Sequence, residues 1–135
     1  MKRTKLFSPY RGKAAKKFNG RAKIDALYKD SRWVKFSREF LAVNTRCYCC
    51  GGKSEVVDHL KAHKGDVKLF TQKDNMIPLC KSHHNRITAS FDRHPVQKFD
   101  DKMKFMFNMR QQLDLTFKVY VIETYEIEGE ENARQ

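Results

Sequence analysis

A small α+β fold is what this sequence predicts, and three observations predict it. Apolar residues recur at helical spacing in two stretches, Trp33, Phe36, Phe40 and Leu41, then Phe99, Met103, Met106 and Leu113. Between them lie two short β-type runs, Glu55-Val56-Val57 and Met76-Ile77-Pro78-Leu79, separated by a polar loop. Two Cys/His knuckles stand beside these runs, and a metal held between them would staple a core that is thin for the chain.

Taken in order, residues 1–22 carry Pro9, Gly12, Gly20 and scattered lysines without periodicity and read as a basic N-terminal arm. Residues 23–95 form the main domain with its preceding helix. Leu27 and Tyr28 suit a short helix, and Ser31 is placed to cap the next one. Trp33 lies on that second helix's apolar stripe and reads as core rather than as a stacking platform. Gly51-Gly52 marks a tight turn, after which a short strand delivers Asp58 and His59 at its end. Residues 60–74 read as a lysine-rich loop. Met76 to Leu79 extends into Cys80, and a helix from Lys81 to about Phe91 ends before Pro95.

An extension follows over residues 96–128. Its helix, 96–113, carries Phe105, Phe107 and Met109 off the main stripe, so cover on more than one side is expected. Residues 117–127 are β-rich and partly alternating, which predicts a C-terminal strand. Residues 129–135 form an acidic tail.

The charge is far from balanced. Against 16 Asp+Glu stand 28 Lys+Arg, a net +12, and residues 1–46 alone hold 14 basic and 3 acidic side chains. Such polarity points to a polyanionic partner whose phosphates would be gripped in a salt-dependent way. No apolar run approaches the ~18 residues that span a bilayer. The basic start lacks the apolar centre of a signal peptide, so no membrane association and a cytoplasmic setting are expected. Thiols stay reduced there, and four cysteines in two clusters then point to metal rather than disulfides.

Cys47 and Cys50 are two residues apart, as are Cys80 and His83, with 29 residues between the pairs. That is the arithmetic of a tetrahedral, four-protein-ligand structural zinc site. Cys49 could take the place of Cys47 or Cys50; an iron–sulfur cluster and free buried thiols are the other readings of the same cysteines. Outside the knuckles stand Asp58-His59, then Asn75 after 15 residues, then His84 after eight more. On a helix, His84 points about 100° away from His83, toward the strand that bears Asp58 and His59. A second, open metal site could form there. His63 and His94 lack such a context and read as surface residues.

The run CYCCGGKSEVVDHL…KDNMIPLCKSHHNRIT resembles the HNH endonuclease family, and LYKDSRWVKFSREFLAVNTRC is similar to the helix before that core in small, free-standing phage-type members. The likeness covers roughly residues 27–92 and keeps five features in order: first knuckle, Asp-His, Asn, second knuckle and adjacent His. It implies a ββα-metal (His-Me finger) core with structural Zn2+ on Cys47, Cys50, Cys80 and His83. It further implies His59 as general base, Asn75 as the residue that fixes the loop and orients His59, and Asp58 and His84 as ligands of one catalytic divalent ion. Mg2+ or Mn2+ suits that ion, and the imidazole ligand admits Ni2+ or Zn2+. Where relatives usually place a fourth Cys and often a later Lys, this chain has His83 and Ile87.

The expected activity is hydrolysis of DNA phosphodiester bonds, by nicking or double-strand cleavage. Lys35, Arg38, Lys61, Lys64, Lys81 and Arg86 would grip phosphates. Paired cuts would call for a homodimer, and phage-type relatives also work beside packaging machinery. The rival class is a zinc-stapled DNA- or RNA-binding accessory module without hydrolysis.

Overall fold

Two strands, β1 (Val56–His59) and β2 (Met76–Leu79), pair antiparallel with Val56 opposite Leu79 and His59 opposite Met76. The computed structural model describes residues 20–94 and 98–127, and over them the chain is a small α+β protein with this one two-stranded sheet and five helices. Residues 1–19 of the expected basic arm, the acidic tail 129–135 and Pro95 lie outside the described residues. Residues 20–22, assigned to the arm on composition, belong to helix α1 over 20–29. Among the described residues no helix is long and apolar enough to cross a membrane.

The pleat of the sheet sorts the core. Successive strand side chains point to opposite faces, so Val57 and Met76 join one apolar cluster while Ile77 and Leu79 join another. The first cluster adds Leu27 of α1, Trp33, Phe36 and Phe40 of α2 (Ser31–Val43), and Val67 and Phe70 of α3 (Val67–Thr71). The second adds Cys47, Cys49, Ile87 of α4 (Lys81–Ile87) and Met106 of α5 (Phe99–Gln112). Pro78 is tolerated in β2 because a two-stranded sheet consists of edges.

Helix α2 starts where its stripe predicts, but its cap is Asp30 rather than Ser31. The Asp30 carboxylate accepts from the Arg32 N–H at 2.8 Å and from the Arg32 guanidinium, which a serine hydroxyl one residue later cannot reproduce. Helix α3 interrupts the stretch read as loop. Asp66 caps it through Lys68 N and Leu69 N, and Val67 and Phe70 are its buried residues. Five residues are too few for periodicity to announce, and the burial comes from its neighbours. Helix α4 continues as a π-helical turn, Thr88–Asp92, in which Arg93 N–H donates to Thr88 O.

Among the described residues the expected C-terminal strand does not form: 115–127 carry no regular secondary structure and do not join the sheet. Burial alternates over 115–120 and then slips phase, so that Val119, Ile122, Tyr125 and Ile127 pack on the core, while side chains rather than a ladder tie the backbone down. Asn44 Nδ2 donates to Tyr120 O at 2.9 Å while Asn44 Oδ1 accepts from Tyr120 N at 2.7 Å. Arg110 donates to Tyr48 O and Phe117 O, and Thr124 Oγ1 to Thr71 O. Val119 touches both clusters, so this strap closes the fold. Asn44 is buried and also caps α2 by donating to Phe40 O. Asn44→Ala should therefore cost about 2 kcal/mol in urea unfolding at constant zinc, from lost buried hydrogen bonds.

Candidate functional site

The first knuckle rests on backbone bonds: Gly51 N–H donates to Cys47 O at 2.7 Å and Cys47 N–H to Gly52 O at 2.6 Å. Gly51 sits at φ +76°, a left-handed conformation that favours glycine, and a Cβ there would also displace the Arg46 guanidinium 2.9 Å away. The second knuckle begins α4, with Cys80 just before it and His83 in its first turn. The ligand atoms of Cys47, Cys50, Cys80 and His83 all lie within 4.8 Å of one another. Cys50 and Cys80 sulfurs are 3.9 Å apart, and Cys80 Sγ is 3.2 Å from His83 Nδ1. Zinc–sulfur bonds of about 2.3 Å give tetrahedral edges of roughly 3.8 Å, so this cluster could hold a metal ion such as zinc.

Cys49 lies outside that set and supports it. A hydrogen bond to Cys47, reinforced by burial, pushes the Cys49 thiol up, and the same contact draws the Cys47 thiol down to about 4. Burial pushes Cys50 up to about 11. All four cysteines are free of disulfides.

Beside this cluster the pleat places Asp58 toward α4 and α5. Asp58 Oδ1 stands 3.3 Å from His84 Nδ1, one residue beyond the knuckle's His83. Neither Asp58 Oδ2 nor His84 Nδ1 has a hydrogen-bond partner, although both atoms are buried. A carboxylate beside an imidazole nitrogen is a pair that could contribute two ligands to a cation, and Lys102 Nζ already stands 3.5 Å from Asp58 Oδ2. Burial would raise the Asp58 carboxyl, but His84, Lys102 and His59 outweigh it and hold it below the usual carboxylate range.

Lys102 of α5 carries no motif in the sequence, yet it stands at the centre of this side of the sheet. It is 1% exposed, and its Nζ lies 2.6 Å from His59 O, 3.0 Å from Asp92 Oδ1 and 3.5 Å from Asp58 Oδ2. The π-helical turn presents Asp92 to it. Burial, helped by Asp58, raises the Asp92 carboxyl against the pull of Lys102. A signal existed: Phe99, Lys102, Met103 and Met106 fall at i, i+3, i+4 and i+7, which puts a charge on the buried stripe.

His59 faces the opposite cluster. Its ring stacks with Trp33 at 5.5 Å and Phe70 at 5.1 Å, and meets His63 edge-on at 4.8 Å. Its Nε2 is 3.0 Å from Phe70 O; a carbonyl only accepts, so Nε2 carries the proton and Nδ1 keeps the lone pair. Burial, then the neighbouring His63, pushes His59 down to about 4. Asn75 is buried and pins the loop: its Oδ1 accepts from Lys61 N, and its Nδ2 donates to Lys61 O and Leu69 O. It thus fixes the backbone next to Phe70 rather than touching the His59 ring.

His63, read as a surface residue, is 9% exposed and bonds Tyr28. Spacing carries no trace of this, because Tyr28 reaches it across 35 residues. His94 is half-buried, and its carbonyl accepts from Lys64 Nζ. A cleft of about 880 Å³ is lined by Asp58, His59, His84 and Tyr28, with Arg21, Lys64 and Arg93 also on its wall. Of the six expected phosphate contacts only Lys64 lines it. Lys35 pairs with Glu39, Arg86 lies over the Phe105 ring, and Arg38, Lys61 and Lys81 are exposed elsewhere. Arg21 and Arg93, unmarked by any motif, line the cleft beside Lys64.

No protein-family model, curated protein or solved structure matches the chain.

Two outcomes follow from this geometry. Elemental analysis should find one zinc per chain, retained by Cys49→Ala and lost from Cys50→Ser; equal retention in both would remove Cys50 from the ligand set. Second, a histidine kept neutral by burial binds fewer protons than the unfolded chain. Its stabilisation is therefore complete above the usual value near 6.5 and is lost as pH falls toward about 4. Between about pH 7 and about pH 5 the native protein should lose roughly 2 kcal/mol more unfolding free energy than His59→Gln, measured in urea.

Proposed function

We propose that the protein is a divalent-metal-dependent DNA endonuclease of the HNH type, with β1, β2 and α4 as its ββα-metal core. The observation that carries this reading is the approach of Asp58 Oδ1 and His84 Nδ1 to 3.3 Å in the same cleft as His59. Asp58 and His84 would hold the ion, and Cys47, Cys50, Cys80 and His83 the structural zinc. A bound Mg2+ or Mn2+ would supply Lewis-acid relief of charge on the departing oxygen.

The remaining steps belong to the chain. His59, its Nε2 proton committed to Phe70 O, offers Nδ1 to take a proton from the attacking water. The neutral form that burial enforces at pH 7 is the form a base needs, and a phosphate entering the cleft raises its basicity by its negative charge. Lys102 holds His59 O and the Asp58 carboxylate in one frame, so base and metal ligand keep a fixed separation. Arg21, Lys64 and Arg93 supply positive charge along the cleft for the nucleic-acid backbone.

One observation favours the rival reading of a zinc-stapled binding module. Lys102 Nζ already stands 3.5 Å from Asp58 Oδ2, a cation of the protein's own beside the carboxylate. A plasmid assay separates the two. With Mg2+ or Mn2+ the native protein should nick supercoiled DNA, and His59→Ala should be slower by about 100-fold or more while keeping zinc and gel retardation. Retardation without cleavage under every ion would leave the binding module.

A further inference from the structure

We propose that the Tyr28 hydroxyl is a direct contact to the phosphodiester in this cleft, and that His63 is the positioning residue that aims it; the proposal rests on the nuclease reading above. The argument starts from proton positions. Gly65 N–H lies 3.0 Å from His63 Nδ1, and a backbone amide can only donate, so Nδ1 bears the lone pair. The proton of the neutral ring is then on Nε2, which stands 2.8 Å from Tyr28 Oη and donates to it. The hydroxyl oxygen is used as acceptor, and its own proton finds no acceptor among the described residues.

That proton sits on a wall of the cleft that also holds Asp58, His59 and His84. The Tyr28 ring meets Trp33 edge-on at 5.7 Å and Phe70 edge-on at 5.0 Å. The same two rings stack on His59 at 5.5 and 5.1 Å. One aromatic frame thus seats both the proposed base and the hydroxyl, and sets the spacing between them.

Burial, with Asp58 and Asp92 nearby, pushes the phenol up to about 12, so it remains a neutral donor at working pH. A neutral donor among Arg21, Lys64 and Arg93 suits a non-bridging phosphate oxygen. It adds a directed hydrogen bond without another charge beside the Asp58 pair.

Tyr28→Phe removes one oxygen atom and keeps the ring contacts. Cleavage of plasmid DNA with Mn2+ should show kcat lower by about 10- to 100-fold and KM changed by less than about threefold. Zinc content should be unchanged, and the folding equilibrium lower by only about fivefold, about 1 kcal/mol, for the lost His63 contact. His63→Ala should lower kcat to a similar extent. His63→Gln, whose amide N–H reaches the Nε2 position, should recover about tenfold over His63→Ala.

Tyr28→Phe cutting within about twofold of the native rate, beside an inert His59→Ala, would overturn this proposal and leave the nuclease reading standing. Equal rates for His63→Ala and His63→Gln would overturn the aiming role. A native protein inert under both ions would overturn both readings together.

Discussion

The structure depends on one stereochemical constraint, the two-residue period of a strand. Asp58 and His59 are adjacent in sequence, so the pleat must send them to opposite sides of a sheet only two strands wide. Each side has its own apolar cluster and its own chemistry. The Asp58 side holds the thiol cluster, His84 and Lys102; the His59 side holds Trp33, Phe70 and His63. The two meet again only at the strand's end, where the cleft opens. A register slip of one residue would exchange the faces, burying the carboxylate among aromatic rings and the imidazole against an ammonium. The pairing is held at both ends, by Glu55 N to Leu79 O and Leu60 N to Asn75 O.

Everything outside the sheet serves to hold that register. The thiol cluster ties the segment before β1 to the residue after β2, while Asn75 ties the loop after β1 to α3. Arg110 joins α5 to both Tyr48 in the first knuckle and Phe117 in the strap, with its guanidinium over both rings. The apolar strap then covers both clusters. These polar ties join elements far apart in sequence and add to the burial of the two apolar clusters.

What could be read from the residues in advance was local. Trp33, Phe36 and Phe40 announced α2 by spacing, and Val56-Val57 and Met76 to Leu79 announced the strands. The four atoms that could hold a metal were legible because ligand spacing is a property of the chain itself. So was the convergence of Asp58 with His84, since one helical residue step separates His84 from His83. Partnerships set by tertiary packing were not legible. Lys102 meets His59 across 43 residues, Tyr28 meets His63 across 35, and Asn44 meets Tyr120 across 76. The strand expected over 117–127 failed for the same reason: alternation reports which side chains face inward, and says nothing of a neighbour for the backbone. Helix α3, capped by Asp66, was read as loop because five residues are too few to show a helical period.

Lys102 has a consequence for how such a chain comes into being. A ribosome delivers β1, β2 and α4 before α5, so Asp58, Asp92 and the thiol cluster emerge ahead of the ammonium that lies between the two carboxylates. Until residues 99–112 clear the exit tunnel, those carboxylates repel one another and resist burial. Vectorial synthesis therefore sets an order on assembly, in which the Asp58 side of the sheet is completed only after α5 and the strap emerge.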